Sequence, residues 1–230
     1  MKLFSETLNT SIIKPISVLD IPNTGENYVS IDLSETNTVL DQVDVSSSEK
    51  FSQYIESYLT SNKADVAFGG YLEPRNIYKR SLHFNREDNL TERNIHLGID
   101  LWYSAGTAVL AALDGEVHSF KNNTNYGDYG PTIILKHQVA GIEFYTLYGH
   151  LSLESITSIT VGEKVKQGQS IGSLGTPGVN GDYPPHLHFQ IIKDLQGYVG
   201  DYPGVCNIRD LEFYKMNCPD PNILLKLFEK

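Results

Sequence analysis

His186-Leu187-His188-Phe189-Gln190-Ile191-Ile192 is the stretch from which the rest of this chain can be read. Side chains of an extended backbone alternate between two faces, so His186 and His188 share one face while Leu187 and Phe189 turn to the other. Pro184-Pro185 stiffens the approach, and the apolar run from Phe189 to Ile192 predicts a strand embedded in a core. Taken alone, His-x-His has an ordinary meaning, two polar groups on a wet strand face, and roughly 0.2 such pairs arise by chance at this composition. A pair of imidazoles at the start of a buried strand is a stronger signal than the spacing itself.

Working outward, short β-type runs separated by turn residues fill the middle of the chain: Thr107–Leu113, Glu116–Phe120, Thr132–His137, Glu143–Tyr148, Val161–Val165 and Ser170–Leu174. Asp114-Gly115 reads as a two-residue hairpin turn, because both positions tolerate positive φ, and Gly141 marks a second tight turn. The pattern predicts a mainly β domain of antiparallel sheets. Asn122–Gly130, Gly175–Pro185 and Asp194–Cys206 read as loops, the segments that carry function on a rigid scaffold. Ser46 and Glu49 have capping-box spacing before an apolar stripe of Phe51, Tyr54, Ile55, Tyr58 and Leu59, which predicts an amphipathic helix packed on a core. Residues 1–45 read as irregular and polar apart from a strand at Tyr28–Leu33, and Pro221–Phe228 as a short terminal helix.

Composition narrows the function. The 230 residues hold 28 acids against 18 bases, a formal charge of -10, and phosphate binding needs a basic footprint, so nucleic acid is not an expected partner. The longest fully apolar stretch, Ala108–Leu113, is far short of the ~18 residues of a spanning helix, so membrane insertion is not expected. Cys206 and Cys218 form no Cys-x-x-Cys motif, which removes a cysteine zinc knuckle or thioredoxin-type site. A disulfide between them and a reducing compartment fit two cysteines about equally. The first 25 residues lack the basic start and 7–15-residue apolar run of a secretory signal. The expected location is cytoplasmic on the residues given, or extracytoplasmic if the chain is a trimmed mature form.

A second cluster of donors is His96-Leu97-Gly98-Ile99-Asp100. In an extended chain positions 96, 98 and 100 point the same way, so His96 and Asp100 converge and Gly98 leaves the gap between them empty. An imidazole nitrogen and a carboxylate oxygen are both good zinc donors. Chance alone supplies roughly 0.4 His-x-x-x-Asp occurrences. His150 ends an apolar strand, Phe144 to Leu151, where a lone histidine is more often a packed one. His83 reads as a surface residue, and His118 and His137 as structural or solvated groups in hairpin strands. Asn27, Asp32 and Asn37 could reach a metal, but polar loops usually carry such residues for turns.

The ordered set resembles the lysostaphin/LytM-type zinc endopeptidases, peptidase family M23. It comprises His96-Leu97-Gly98-Ile99-Asp100, Ala105-Gly106-Thr107 before Asp114-Gly115-Glu116-Val117, Leu147 to Ser152, Val161 to Gln169, and Pro185 to Phe189. That resemblance covers His96 to Ile192 and implies a mainly β fold of antiparallel sheets, to which the residue pattern adds an N-terminal helix and extended segment and a short C-terminal helix. The expected division is residues 65–205 as the peptidase domain, 1–64 as an accessory segment with one amphipathic helix and 206–230 as an extension. The resemblance makes His96, Asp100 and His188 ligands of one Zn2+ per chain, and His150 and His186 the two catalytic histidines. Two histidines and one carboxylate leave a tetrahedral position open, as a catalytic zinc requires. With no His-Glu-x-x-His motif, a histidine must handle the proton of the attacking water.

The implied activity is hydrolysis of peptide bonds, with peptidoglycan-type cross-link peptides as the substrate class. The alternatives are an intracellular amide or peptide hydrolase acting on something other than cell wall, or a non-catalytic zinc-binding module. All five positions are filled, which disfavours the last. The chain departs from the family pattern at Gly130–His137, at Asn180–Pro185 and at Gln190, where glutamate is frequent. Gly200–Val205 with Asn217–Asn222 resembles the branch also found joined to class III aminotransferase and phosphotransferase-like domains.

Overall fold

A computed structural model describes residues 2–21, 27–81 and 90–227. His83 lies outside them. The strands are β1 (Tyr28–Ser30), β2 (Val66–Gly69), β3 (Ile95–His96), β4 (Ile99–Trp102), β5 (Ala108–Leu110) and β6 (Gly115–Asn123). They continue as β7 (Gly130–Val139), β8 (Ile142–Gly149), β9 (Lys164–Val165), β10 (Ser170–Ser173), β11 (His186–Ile192) and β12 (Val205–Cys206). The helices are α1 (Lys2–Ser11), α2 (Ser48–Asn62), α3 (Leu211–Asn217) and α4 (Asn222–Leu225). The fold is mainly β, as the turn spacing implies. Eight strands form one sheet in the order β1-β2-β4-β11-β8-β7-β6-β9, with β5-β10 and β3-β12 as separate pairs. The large sheet is antiparallel except at its edge, where β1 runs parallel to β2.

β11 occupies the predicted His186–Ile192 and every one of its residues is buried. Two faces of the sheet are packed. Ile99, Leu101, Leu187, Phe189 and Ile191 enter the principal core with Ile133, Leu135 and Phe144, which is why the strand reads as nearly continuous apolar sequence. The β7–β8 hairpin turns at Ala140-Gly141, both at positive φ, as the Gly141 signal predicts.

The Asp114-Gly115 hairpin does not form. β5 pairs with β10 rather than β6, and Ala111 exchanges backbone hydrogen bonds with Gln169 and Gly168. The Asp114 carboxylate accepts from the Gln167 N–H and the Lys166 ammonium. Gly115 is needed for close approach instead, since a Cβ there would meet the backbone and ring of β7 residues Lys136 and His137.

The helix at 48–62 begins one residue later than its capping-box spacing implies, with the Ser47 side chain accepting from Lys50 N–H. Its stripe packs as expected: Phe51 and Ile55 are buried with Ile31, Ala67 and Trp102, and Phe51 meets the Trp102 ring edge-on at 5.3 Å. Residues 2–11, read as irregular, are helical because Phe4 and Leu8, one turn apart, both enter the principal core beside Leu224 and Leu225. α3 was likewise not foreseen, and the terminal helix is confined to Asn222–Leu225 because Lys226 turns left-handed. Among the described residues no helix is long and apolar enough to cross a membrane.

Phe51→Ala should cost about 3 kcal/mol, the usual loss for a buried phenylalanine. A denaturant midpoint indistinguishable from the parent would contradict the packing of α2 on Trp102.

Candidate metal centre and the imidazoles around it

The antiparallel register of β4 with β11 places His188 directly opposite Asp100 and His186 opposite Trp102. All four side chains therefore share one face. β3 and β4 are separated by a break at Leu97-Gly98, and across it His96 still converges on Asp100. The gap over Gly98 is not empty, contrary to the strand-parity expectation: a Cβ there would lie 2.7 Å from the His188 ring and 2.8 Å from the Phe189 carbonyl. Glycine at 98 is what lets β11 deliver its imidazole. His150 arrives from the end of β8 with φ of 62°, a left-handed conformation rare for a non-glycine residue. That turn swings its ring off the sheet towards His186, with ring centroids 4.1 Å apart.

The structure thus brings all five sequence-selected residues together, each at most 6% exposed. His96 Nε2 lies 2.8 Å from His188 Nδ1. Asp100 Oδ1 is 3.2 Å from His96 Nε2, 3.3 Å from His188 Nδ1 and 3.9 Å from His186 Nε2. Surrounding groups fix which ring nitrogen carries hydrogen. His96, His150 and His186 each donate Nδ1–H to a backbone carbonyl, those of Gly70, Asn180 and Pro184, at 3.0, 2.7 and 2.8 Å. A carbonyl only accepts, so Nε2 of each ring presents a lone pair. His188 is set the other way: its Nε2 donates to Gln190 Oε1 at 2.9 Å. The amide orientation is fixed because Gln190 Nε2 donates to the Pro203 carbonyl and faces Cys218 Sγ. His188 Nδ1 is then the nitrogen offered to the cluster.

Three lone-pair donors, His96 Nε2, His188 Nδ1 and Asp100 Oδ1, therefore face one another without a hydrogen to share. Asp100 Oδ1 is buried and has no hydrogen-bond partner in the protein. Such an arrangement is repulsive unless a cation stands among the donors. A tetrahedral zinc site with bonds of about 2.0–2.1 Å to nitrogen has ligand–ligand edges of about 3.3 Å. Two of the observed separations match that edge, and the 2.8 Å pair would open by about 0.5 Å to reach it. Among the described residues, these three are the one His/Cys/Asp/Glu group close enough to hold an ion together.

Burial pushes the His96 and His186 imidazoles down to about 4, and His150 well below its ordinary range, with neighbouring His186 and His188 adding to the effect. All three rings are neutral at pH 7. Burial alone would raise Asp100, but His96 and the Arg75 guanidinium beside it outweigh that and hold the carboxyl well below the usual carboxylate range. Trp102 stacks on His186 at 4.0 Å, and Tyr183 meets both His150 and His186 edge-on. A cavity of about 270 Å³ opens on the cluster, its outer wall including Leu33, Leu40 and Phe51 of the N-terminal region.

The remaining candidates stand outside the donor cluster, although Asn37 lines the cavity. His118 contacts Ser119 Oγ, and His137 is buried between the Asp114 carbonyl and Thr146 Oγ1. Asp32 Oδ1 accepts from Ser34 N–H and Asn37 Oδ1 from Val39 N–H, so both serve turns. The Asn27 carbonyl accepts from the N–H groups of Asp65 and Val66. Cys206 and Cys218 are buried free thiols rather than a disulfide. Arg75 and Glu73 escaped the sequence reading: Arg75 touches Asp100 from 25 positions away, and no local spacing announces that contact.

Residues 94–199 match the sequence profile of peptidase family M23. A peptidoglycan DD-endopeptidase, ShyC, of Vibrio cholerae is 37% identical over 98 residues, 42% of this chain and 20% of that protein. A glycyl-glycine endopeptidase, ALE-1, of Staphylococcus capitis is 35% identical over 95 residues, 41% of this chain and 24% of that one. The match thus spans only a fifth to a quarter of these relatives. The catalytic domain of the antimicrobial peptidase lysostaphin from Staphylococcus simulans superposes with a TM-score of 0.36 and 26% identity, covering 53% of this chain and 80% of that domain.

Gly98→Ala should displace the His188 ring, lowering stability by about 1–3 kcal/mol and metal affinity by at least about tenfold. Metal titration of the folded variant reads this directly; unchanged affinity would mean that His188 does not need the space above Gly98.

Proposed function

We propose that this chain, whose residues 94–199 are a peptidase family M23 domain, is a zinc-dependent endopeptidase. The observation that carries the reading is the convergence of three buried lone-pair donors, with two further imidazoles fixed to face the same cavity. His96 through Nε2, Asp100 through Oδ1 and His188 through Nδ1 would hold the ion. A divalent ion held there supplies electrophilic activation of water and of the scissile carbonyl.

The chain's own residues do the rest. The backbone carbonyls of Asn180 and Pro184 keep Nε2 of His150 and His186 as acceptors aimed into the cavity. One of these rings takes the proton of the attacking water and passes it to the leaving amine. The other, its Nε2 a lone-pair acceptor, takes a hydrogen bond from the same water and so aims it at the scissile carbonyl. Trp102, stacked on His186, and Tyr183, against both rings, hold them in place and exclude bulk water.

The substrate class we assign is the peptide cross-link of peptidoglycan, supported by the two endopeptidase relatives. The charge of -10 favours a second reading, a peptide outside the anionic cell wall, because like charge slows encounter with a polyanion. Digestion of purified murein beside a mixed peptide pool, each with and without chelator, separates the two. Cleavage of neither overturns the hydrolase reading.

Asp100→Ala or His188→Ala should abolish bound zinc, since each removes one of three protein ligands. Elemental analysis still finding one zinc per chain would refute the ligand set. His150→Ala should retain the metal and lose about 10²–10⁴-fold in turnover; full activity would reduce it to a packing residue.

A further inference from the structure

Upstream of the matched stretch, Gly70–Arg75 wraps two of the three donors. The Gly70 carbonyl accepts from His96 Nδ1, and the Glu73 carbonyl from the His96 backbone N–H. Arg75 is 3% exposed. Its Nη1 donates to Asp100 Oδ2 at 2.5 Å and its Nε to Glu73 Oε2 at 2.6 Å. Glu73 is held in turn by the Leu33 N–H, which donates to its Oε1 at 3.1 Å. Gly70, at φ of 103°, is required in this wrap, since a Cβ would run into the Arg75 guanidinium and His96 Nδ1.

We infer that Arg75, braced by Glu73, is a positioning residue of the metal centre: it engages Asp100 Oδ2 and so commits Asp100 to ligate through Oδ1 alone. This rests on the metal reading above. Charge alone does not account for Arg75. A guanidinium beside a divalent ion opposes its binding, and here Glu73 offsets that charge, so the pair is neutral and the centre keeps the single negative charge of Asp100. What the pair contributes is geometry. The planar guanidinium bridges the two carboxylates, Nε on Glu73 Oε2 and Nη1 on Asp100 Oδ2, and outer groups of this kind typically govern metal affinity by about 10–100-fold.

Charge and geometry predict opposite results in the full chain. We would titrate apo protein with Co2+ and Zn2+ against a chromophoric chelator, well below the unfolding midpoint. Arg75→Gln should weaken binding by about 10–100-fold. The charge-balanced double variant Arg75→Gln/Glu73→Gln should weaken it similarly, although its net charge matches the parent. Visible absorption of the Co2+ form should be strong and four-coordinate in the parent. It should weaken in both variants as the freed Asp100 also offers Oδ2. Arg75→Lys, the gentler change should Arg75→Gln fold poorly, keeps the charge without the fork and should show an intermediate loss. Tighter binding in Arg75→Gln with parental affinity in the double variant overturns the proposal in favour of a charge effect. Unchanged affinity and absorption in Arg75→Lys and Arg75→Gln overturn it outright. A parent chain that binds neither ion removes the metal reading and this proposal together, whereas a parent that binds normally isolates the role of Arg75.

Discussion

The ladder between β4 and β11 is the constraint on which the rest depends. It sets His188 opposite Asp100 and His186 opposite Trp102, and a one-residue slip of β11 would send both histidines to the other face, away from Asp100 and Trp102. The register is held by that other face: Ile99, Leu101, Leu187 and Phe189 fill the principal core. Apolar packing on one side of the sheet thereby fixes polar chemistry on the other. Asp100 and His188 are gathered by the large sheet itself, and His96 joins them from β3, which pairs with β12 across the break at Leu97-Gly98.

Burying five titratable side chains in one place is costly unless each polar atom is answered. The structure answers nearly all of them with fixed partners: three carbonyls for three Nδ1 atoms, Gln190 for His188, and Arg75 for Asp100 Oδ2. The atoms left over are the lone pairs that face inward. The same partners that stabilise the folded chain therefore select the tautomers that turn these lone pairs towards one another and towards the cavity. Gln190 illustrates the economy, since its amide fixes His188 at one end and reaches Cys218 and the Pro203 carbonyl at the other.

The N-terminal region is bound into this arrangement. α2 packs Phe51 against Trp102, whose other neighbour is His186. Ser48 Oγ donates to Asp182 Oδ1, and Arg80 donates to the Asp182 carbonyl. The loop that carries Asn180, Tyr183 and Pro184 is thus clasped from outside the matched family stretch. Leu33 and Leu40 complete the wall of the cavity, so it is shaped in part by residues outside β4, β8 and β11.

The sequence by itself determined what depends on local period and residue chemistry. The parity of His186-Leu187-His188, the His96–Asp100 pair, the β7–β8 turn at Gly141 and the α2 stripe all involve neighbours a few positions apart. Only the tertiary structure decided which strands pair and which distant groups meet. Asp114-Gly115 carried a hairpin signal, yet β5 found a better partner in β10 across long chain separation, because backbone pairing is chosen by the whole core. α1 was missed because Phe4 and Leu8, in a mostly polar segment, gain meaning only when a core receives them. Arg75 and Glu73 were missed for the same reason: a buried arginine is stable only beside its carboxylates, and that proximity is created by folding rather than by spacing.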